Sequence, residues 1–99
     1  MLGIGRRVSV CGLTGSGKTT LARHVAECIG VPLIELDSIF WQPGWTAKPV
    51  DELRADVYAA IQTHKDGWVC DGNYHQTRDI TLPEADTVIW LRLPFRVAA

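Results

Sequence analysis

The chain is 99 residues long, with 46% hydrophobic and 21% charged residues and a formal net charge of −1. This is the composition of an ordinary globular domain, which excludes a disordered or collagen-like chain, and ten basic against eleven acidic residues leave no basic surplus for direct nucleic-acid binding. No apolar run approaches the roughly 18 residues of a membrane span, and residues 8–13, although preceded by Arg6 and Arg7, are too short for a signal-peptide core, so the sequence reads as cytoplasmic.

Residues 7–11, with Val8 and Val10, read as a short buried strand that runs into a glycine-rich turn at 12–17. From 18 to 29, Leu21, Ala22, Val25, Ala26 and Ile29 recur at helical spacing, and Gly30 stands where a left-handed C-cap belongs. Residues 31–37 (VPLIELD) form a second expected strand, entered through Pro32. An aromatic loop, FWQPGW at 40–45, follows. Asp51 is the expected N-cap of a second helix with an apolar face of Leu53, Val57, Ala60 and Ile61, ending near His64. Residues 68–71 (WVCD) make a third strand, 72–82 a polar connection with room for a helical turn, and 87–93 (TVIWLRL) a fourth strand stopped by Pro94. Trp68 and Trp90, lying within strands, are expected in the core. Strand and helix alternate with short connections, which implies an α/β fold with a parallel sheet covered by helices. Residues 1–99 read as a single domain. Residues 95–99 look like the first turn of a further helix, so the domain is expected to continue, and the outer side of the fourth strand is expected to be open to self-association.

Cys11, Cys28 and Cys70 are odd in number and show no C-x-x-C spacing, so they suggest neither a disulfide framework nor a zinc site. Cys11 and Cys70 lie in apolar strands and behave there as small hydrophobes. His24 and Cys28 are four apart on the first helix, where two ligands without a third make an ordinary helix face. His64 and His75 carry no motif and read as solvated.

Gly12-Leu13-Thr14-Gly15-Ser16-Gly17-Lys18-Thr19 fits G-x-x-x-x-G-K-[ST] in full, and it sits between a predicted strand and a predicted helix, the context that gives the motif meaning. The glycines let successive backbone N–H groups converge on phosphate oxygens, and the helix start adds its positive end to the same anion. Lys18 reaches the β- and γ-phosphates, and the Thr19 hydroxyl can ligate Mg²⁺. Ser16 and Thr20 are auxiliary. In an open parallel sheet, ligands bind beyond the carboxyl ends of the strands. Asp37 and Asp71 end the second and third predicted strands and so should share a crevice with this loop, to hold Mg²⁺ or accept a proton from an attacking hydroxyl. Phe40, Trp41 and Trp45, crowded around Pro43-Gly44, could stack on a planar acceptor or simply cap the sheet edge. Arg78 either holds an anionic acceptor group or pairs with Asp79 or Glu84.

LDSIFWQPGW (36–45), WVCDGNYHQTRD (68–79) and ADTVIWLRLP (85–94), following the phosphate loop, resemble the P-loop kinase-like DNA topology modulation proteins, relatives of the adenylate and shikimate kinases. The resemblance implies the nucleoside-monophosphate-kinase-like fold, a parallel sheet of order 2-3-1-4-5 from which this chain supplies 2-3-1-4. It also implies that Asp71-Gly72-Asn73 lies beside the Mg²⁺–phosphate site. Relatives often carry an acidic residue where this chain has Arg92, and they continue with an arginine-bearing lid, a fifth strand and closing helices. Without lid arginines to steady the transferring phosphoryl group, the 99 residues alone are expected to be weak or inactive catalysts. The expected function of the complete protein is phosphoryl transfer from MgATP, bound at residues 12–20, to a small-molecule acceptor held between Asp37, the aromatic loop and Arg78. The alternative is a nucleotide-binding regulatory protein of the DNA topology modulation type without turnover. A GTPase is set aside because no N-K-x-D segment occurs in the chain.

Overall fold

A computed structural model describes residues 5–12, 17–42, 46–72 and 74–91. Strand β1 (Arg7–Gly12) is followed by helix α1 (Lys18–Ile29), strand β2 (Leu33–Glu35), the short helix α2 (Leu36–Phe40), strands β3 (Trp41–Gln42) and β4 (Thr46–Ala47), and helix α3 (Val50–Thr63). Strand β5 (Trp68–Asp71), helix α4 (Arg78–Glu84) and strand β6 (Thr87–Leu91) complete the order. Four strands form one sheet in the order β2-β5-β1-β6, every pair parallel, while β3 and β4 make a separate antiparallel hairpin. Counted along the chain, the sheet strands stand in the order 2-3-1-4, as the family resemblance implies.

The two central strands are buried on both faces, which explains the apolar run Trp68-Val69-Cys70 in WVCD, while RVSVCG alternates in sequence yet buries Ser9 as fully as Val8 and Val10. Alternation still decides which helix each side chain meets. Val8, Val10 and Val69 face α1 and pack on Ala22, Val25 and Ala26. Trp68, Cys70 and Ile34 face the other way and pack with Leu36 and with Leu53, Val57 and Ile61 of α3. Full burial of each of those three α3 side chains contributes about 1.5–3 kcal/mol, so this face holds α3 even though the helix carries no side-chain N-cap bond. Helix α1 spans the expected residues and ends at Gly30, whose left-handed backbone (φ 69°) donates its N–H to the Ala26 carbonyl at 2.9 Å. Arg6 bonds the Ile29 carbonyl and the Asp66 carbonyl, each at 3.3 Å, tying the end of α1 to the turn before β5.

Four sequence expectations are corrected. The second strand stops at Glu35, because Leu36 turns inward to the core and Asp37 belongs to the first turn of α2. Helix α3 starts after Pro49, so Asp51 and Glu52 lie in its first turn, where their charges complement the helix dipole. The polar connection after β5 contains a full short helix, α4. Trp90 is 58% exposed: on the edge strand β6 it shares with Val88 the face that no described helix covers, whereas Ile89 points into the core on the α1 side. Trp68 is fully buried, as expected. The helix expected from residue 95 lies outside the described residues, as does Arg92. No helix among the described residues is long and apolar enough to cross a membrane.

Candidate active site

The carboxyl ends of β1 and β5 meet the amino end of α1, and the phosphate-loop motif bridges them. Leu13, Thr14, Gly15 and Ser16 lie outside the described residues; Gly12 closes β1, and Gly17 stands in a left-handed conformation (φ 87°) at the helix start. Among the described residues no side chain caps α1, and its first turn holds no acidic residue, so the amino end of the helix is suited to an anion.

Strand alternation puts Asp71 on the α1 side of β5, since Trp68 and Cys70 face α3 and Val69 faces α1. Asp71 is level with Val10 in the β1 register and only 7% exposed. The Thr19 hydroxyl donates to Asp71 Oδ2 at 2.8 Å, and Lys18 Nζ lies 3.4 Å from Oδ1. The Lys18 contact is an ion pair without hydrogen-bond geometry, and Oδ1, sealed from solvent, accepts no hydrogen bond among the described residues. A hydroxyl and a carboxylate 2.8 Å apart, with one carboxylate oxygen unsatisfied, form the all-oxygen donor set that suits a hard cation such as Mg²⁺. The residues present therefore fit the ion that the sequence motif calls for. Thr20, next in α1, is exposed.

The neighbouring thiols take no part. Burial, then the nearby Asp71 charge, pushes Cys70 up to about 12, and burial also raises Cys11 against the opposing charges of Arg78 and Lys18. The Arg78 charge thus bears on the end of β1. The residue also borders an open groove of about 690 Å³ with His75 and Leu82. Its sequence neighbour Asp79 pairs with Arg54, whose guanidinium donates to both carboxylate oxygens at 2.7 and 2.8 Å and to the Gln76 carbonyl at 2.7 Å.

Asp37 does not join the Lys18–Asp71 cluster directly. It lies exposed in the first turn of α2, and the Tyr74 hydroxyl donates to its Oδ1. Phe40, on the same helix, meets the Tyr74 ring edge-on, with centroids 5.0 Å apart and planes at 81°. Phe40 is therefore engaged with Tyr74. Trp41 contributes its backbone to β3, but its side chain is not among the described ones, and Trp45 lies outside the described residues, as does Asn73. Sequence reasoning missed Tyr74 and Arg54. The available signal was an aromatic residue three places after Asp71 in an otherwise polar connection.

Burial raises the ionisation of the phenol well above the usual tyrosine range, and the Asp37 hydrogen bond and the Asp37 and Asp71 charges add to the shift. The turn that delivers it depends on Gly72, whose φ of 130° suits glycine alone and at which a Cβ would come within 3.1 Å of the Leu36 side chain.

The sheet order, the flanking helices and the strand–loop–helix around Lys18 define a P-loop kinase-like fold. No protein-family model matches the chain. It is 33% identical over 106 aligned positions to the cytidylate kinase of Pyrobaculum arsenaticum and 35% identical over 105 to that of Pyrobaculum calidifontis, in each case across 93% of this chain and 56% of the relative. Among solved structures, it shares its fold with a gluconokinase from Sinorhizobium meliloti 1021, with a TM-score of 0.51 and 24% identity over 93% of this chain and 58% of the other. The chain thus spans a little over half the length of the curated relatives it matches.

Proposed function

We propose that this chain is the nucleotide-binding part of a kinase that moves the γ-phosphoryl group of ATP to a small-molecule acceptor, with a nucleoside monophosphate as the first class to test. The observation that carries the reading is the Asp71 carboxylate, bracketed by Lys18 and Thr19 at the mouth of the phosphate loop. The likeness to cytidylate kinases supports the nucleotide acceptor.

ATP would lie along residues 12–20, its phosphates on the backbone N–H groups and the α1 amino end, with Lys18 exchanging Asp71 for phosphate oxygens. Thr19 and Asp71 would hold Mg²⁺, which when bound supplies positive charge to the β- and γ-oxygens. In the transfer, the bond from the γ-phosphorus to the bridging oxygen breaks, a new bond to an acceptor oxygen forms, and ADP leaves. A phosphate acceptor arrives ionised at neutral pH and needs no base. A hydroxyl acceptor gives up a proton, for which Asp37 is the proposed recipient. Arg78 and the 40–45 segment would border the acceptor.

Thermal unfolding with and without MgATP tests the nucleotide half. The expected increment is about 2.7 kcal/mol at a hundredfold excess over Kd, lost in Lys18→Ala. No shift with ATP, ADP or GTP refutes nucleotide binding. ADP release dependent on CMP by the full-length protein then tests transfer, and ATP binding without turnover on any acceptor favours a regulatory role instead.

A further inference from the structure

We propose that Tyr74 is a positioning residue for the acceptor side of the site: its hydroxyl fixes the Asp37 carboxylate so that one oxygen stays directed at a hydrogen-bond donor on the acceptor, a hydroxyl or an amino group. The inference rests on the kinase reading above and deepens it.

Asp37 alone would be a poor specificity element. It is exposed, in the first turn of a five-residue helix, and a short side chain there samples several rotamers in water. Tyr74 removes that freedom. Its hydroxyl donates to Asp37 Oδ1, and its ring is held edge-on by Phe40 one turn further along α2. Two contacts from one side chain thus grip both ends of α2. Since Phe40 also accepts the Lys48 N–H at 2.9 Å, the β3–β4 hairpin is anchored at the same point.

The grip is mounted on the nucleotide half. Tyr74 follows Asp71 by three residues, and Gly72 between them folds the chain over Leu36 while its N–H bonds the Val10 carbonyl at 3.1 Å. Asp71 and Asp37, which hold different substrates in the proposed reaction, are therefore spaced by a single turn and a rigid phenol. With Oδ1 taken by a donor, the other Asp37 oxygen accepts, and a carboxylate oxygen in that position selects donors and repels anions. The contact thus points to a neutral donor on the acceptor rather than to its phosphate, which would fall to the cationic Arg78.

The test uses two substitutions and two readouts, both on the full-length protein. Tyr74→Phe keeps the ring and the Phe40 contact and deletes only the hydroxyl; Asp37→Asn keeps the shape and removes the charge. With ¹³Cζ-labelled tyrosine, the two tyrosines give two NMR lines. The Tyr74 line is expected to move in Asp37→Asn while the Tyr58 line stays. In CMP-dependent ADP release, Tyr74→Phe is expected to raise the CMP KM roughly 10-fold, the size of one hydrogen bond to a charged group, with kcat and the ATP KM unchanged. An unmoved Tyr74 line overturns the proposal, and so does a moved line with an unaltered CMP KM, which makes the contact structural only. A wild type that binds MgATP but releases no ADP with CMP refutes the nucleotide-acceptor reading instead. The positioning role then falls with that reading, and the spectra report only whether the Tyr74–Asp37 contact exists.

Discussion

Replacing Lys18 by methionine leaves the Asp71 carboxylate buried without its counter-ion, and the cost follows from the geometry. The carboxylate is 7% exposed and the lysine side chain 19%, with 3.4 Å between Nζ and Oδ1. At an effective dielectric constant of about 20, that separation corresponds to roughly 5 kcal/mol of gross attraction, most of it offset by desolvation of the two ions. Removing one partner of a buried pair costs about 3–5 kcal/mol. Here the ion pair lacks hydrogen-bond geometry, the Thr19 hydroxyl remains on Oδ2, and the amino end of α1 stays close, so we expect about 2–3 kcal/mol. For a domain of this size that is a Tm lower by roughly 8–24 °C.

The converse substitution is not equivalent. In Asp71→Asn the lysine, on its flexible stem, turns to water, so the loss should stay near 1 kcal/mol or less. Lys18→Met/Asp71→Asn together should recover most of the stability lost in Lys18→Met, giving a coupling of about 1.5–3 kcal/mol. Urea unfolding followed by circular dichroism at pH 7 and low salt measures all four proteins. A Lys18→Met protein within about 0.5 kcal/mol of wild type, or a double variant that simply sums the two losses, refutes the claim that Lys18 neutralises Asp71 in the nucleotide-free protein.

Of the three cysteines, only Cys28 is exposed, and burial holds the Cys11 and Cys70 thiols protonated. A thiol reagent at pH 8 should therefore modify Cys28 quickly and the other two only on unfolding; mass spectrometry that finds Cys70 labelled first contradicts the packing. The exposed Arg54–Asp79 pair gives a pH signature, because the Arg54 hydrogen bonds lower the Asp79 carboxyl below its ordinary range. Its contribution is complete above the ordinary carboxylate value and disappears as the pH falls through the lowered one, so the urea midpoints of wild type and Asp79→Asn should converge in acid, below the ordinary carboxylate range. Added salt should shrink the neutral-pH difference, and a difference that persists in acid argues against the pair.

The sequence made the nucleotide half readable because local rules settle it. Apolar spacing and Gly30 define α1 residue by residue, and the G-x-x-x-x-G-K-T run has meaning only between a strand and a helix, which is where it lies. Asp71 was readable for the same reason: a buried apolar strand that ends in a carboxylate points to the mouth of the sheet. The misreadings share a cause, which is that the deciding partner is remote in sequence. Leu36 leaves the strand for a core built from α3 and β5, and that displacement carries Asp37 into a helix. Trp90 looks like core by composition, yet edge position and alternation put it outside. Arg54 meets Asp79 across 25 residues, and no spacing rule announces that pair.

Tyr74 shows why the acceptor half resists reading most. Its value lies in contacts to Asp37 and Phe40, 37 and 34 residues upstream, and the chain approaches them through Gly72, whose backbone conformation other residues rarely adopt. The same turn carries the Gly72 N–H to the Val10 carbonyl, so the geometry of the acceptor clasp and that of the Asp71 carboxylate are set together. Anything that shifts β5 against β1 must move both halves at once. The proposed division of labour then follows physically. The Asp71 carboxylate sits at a buried strand end beside the first turn of α1, where a low dielectric strengthens its contacts with Lys18 and Thr19, and the discriminating carboxylate sits on an exposed short helix, where it can meet a ligand and is steadied by the Tyr74 phenol.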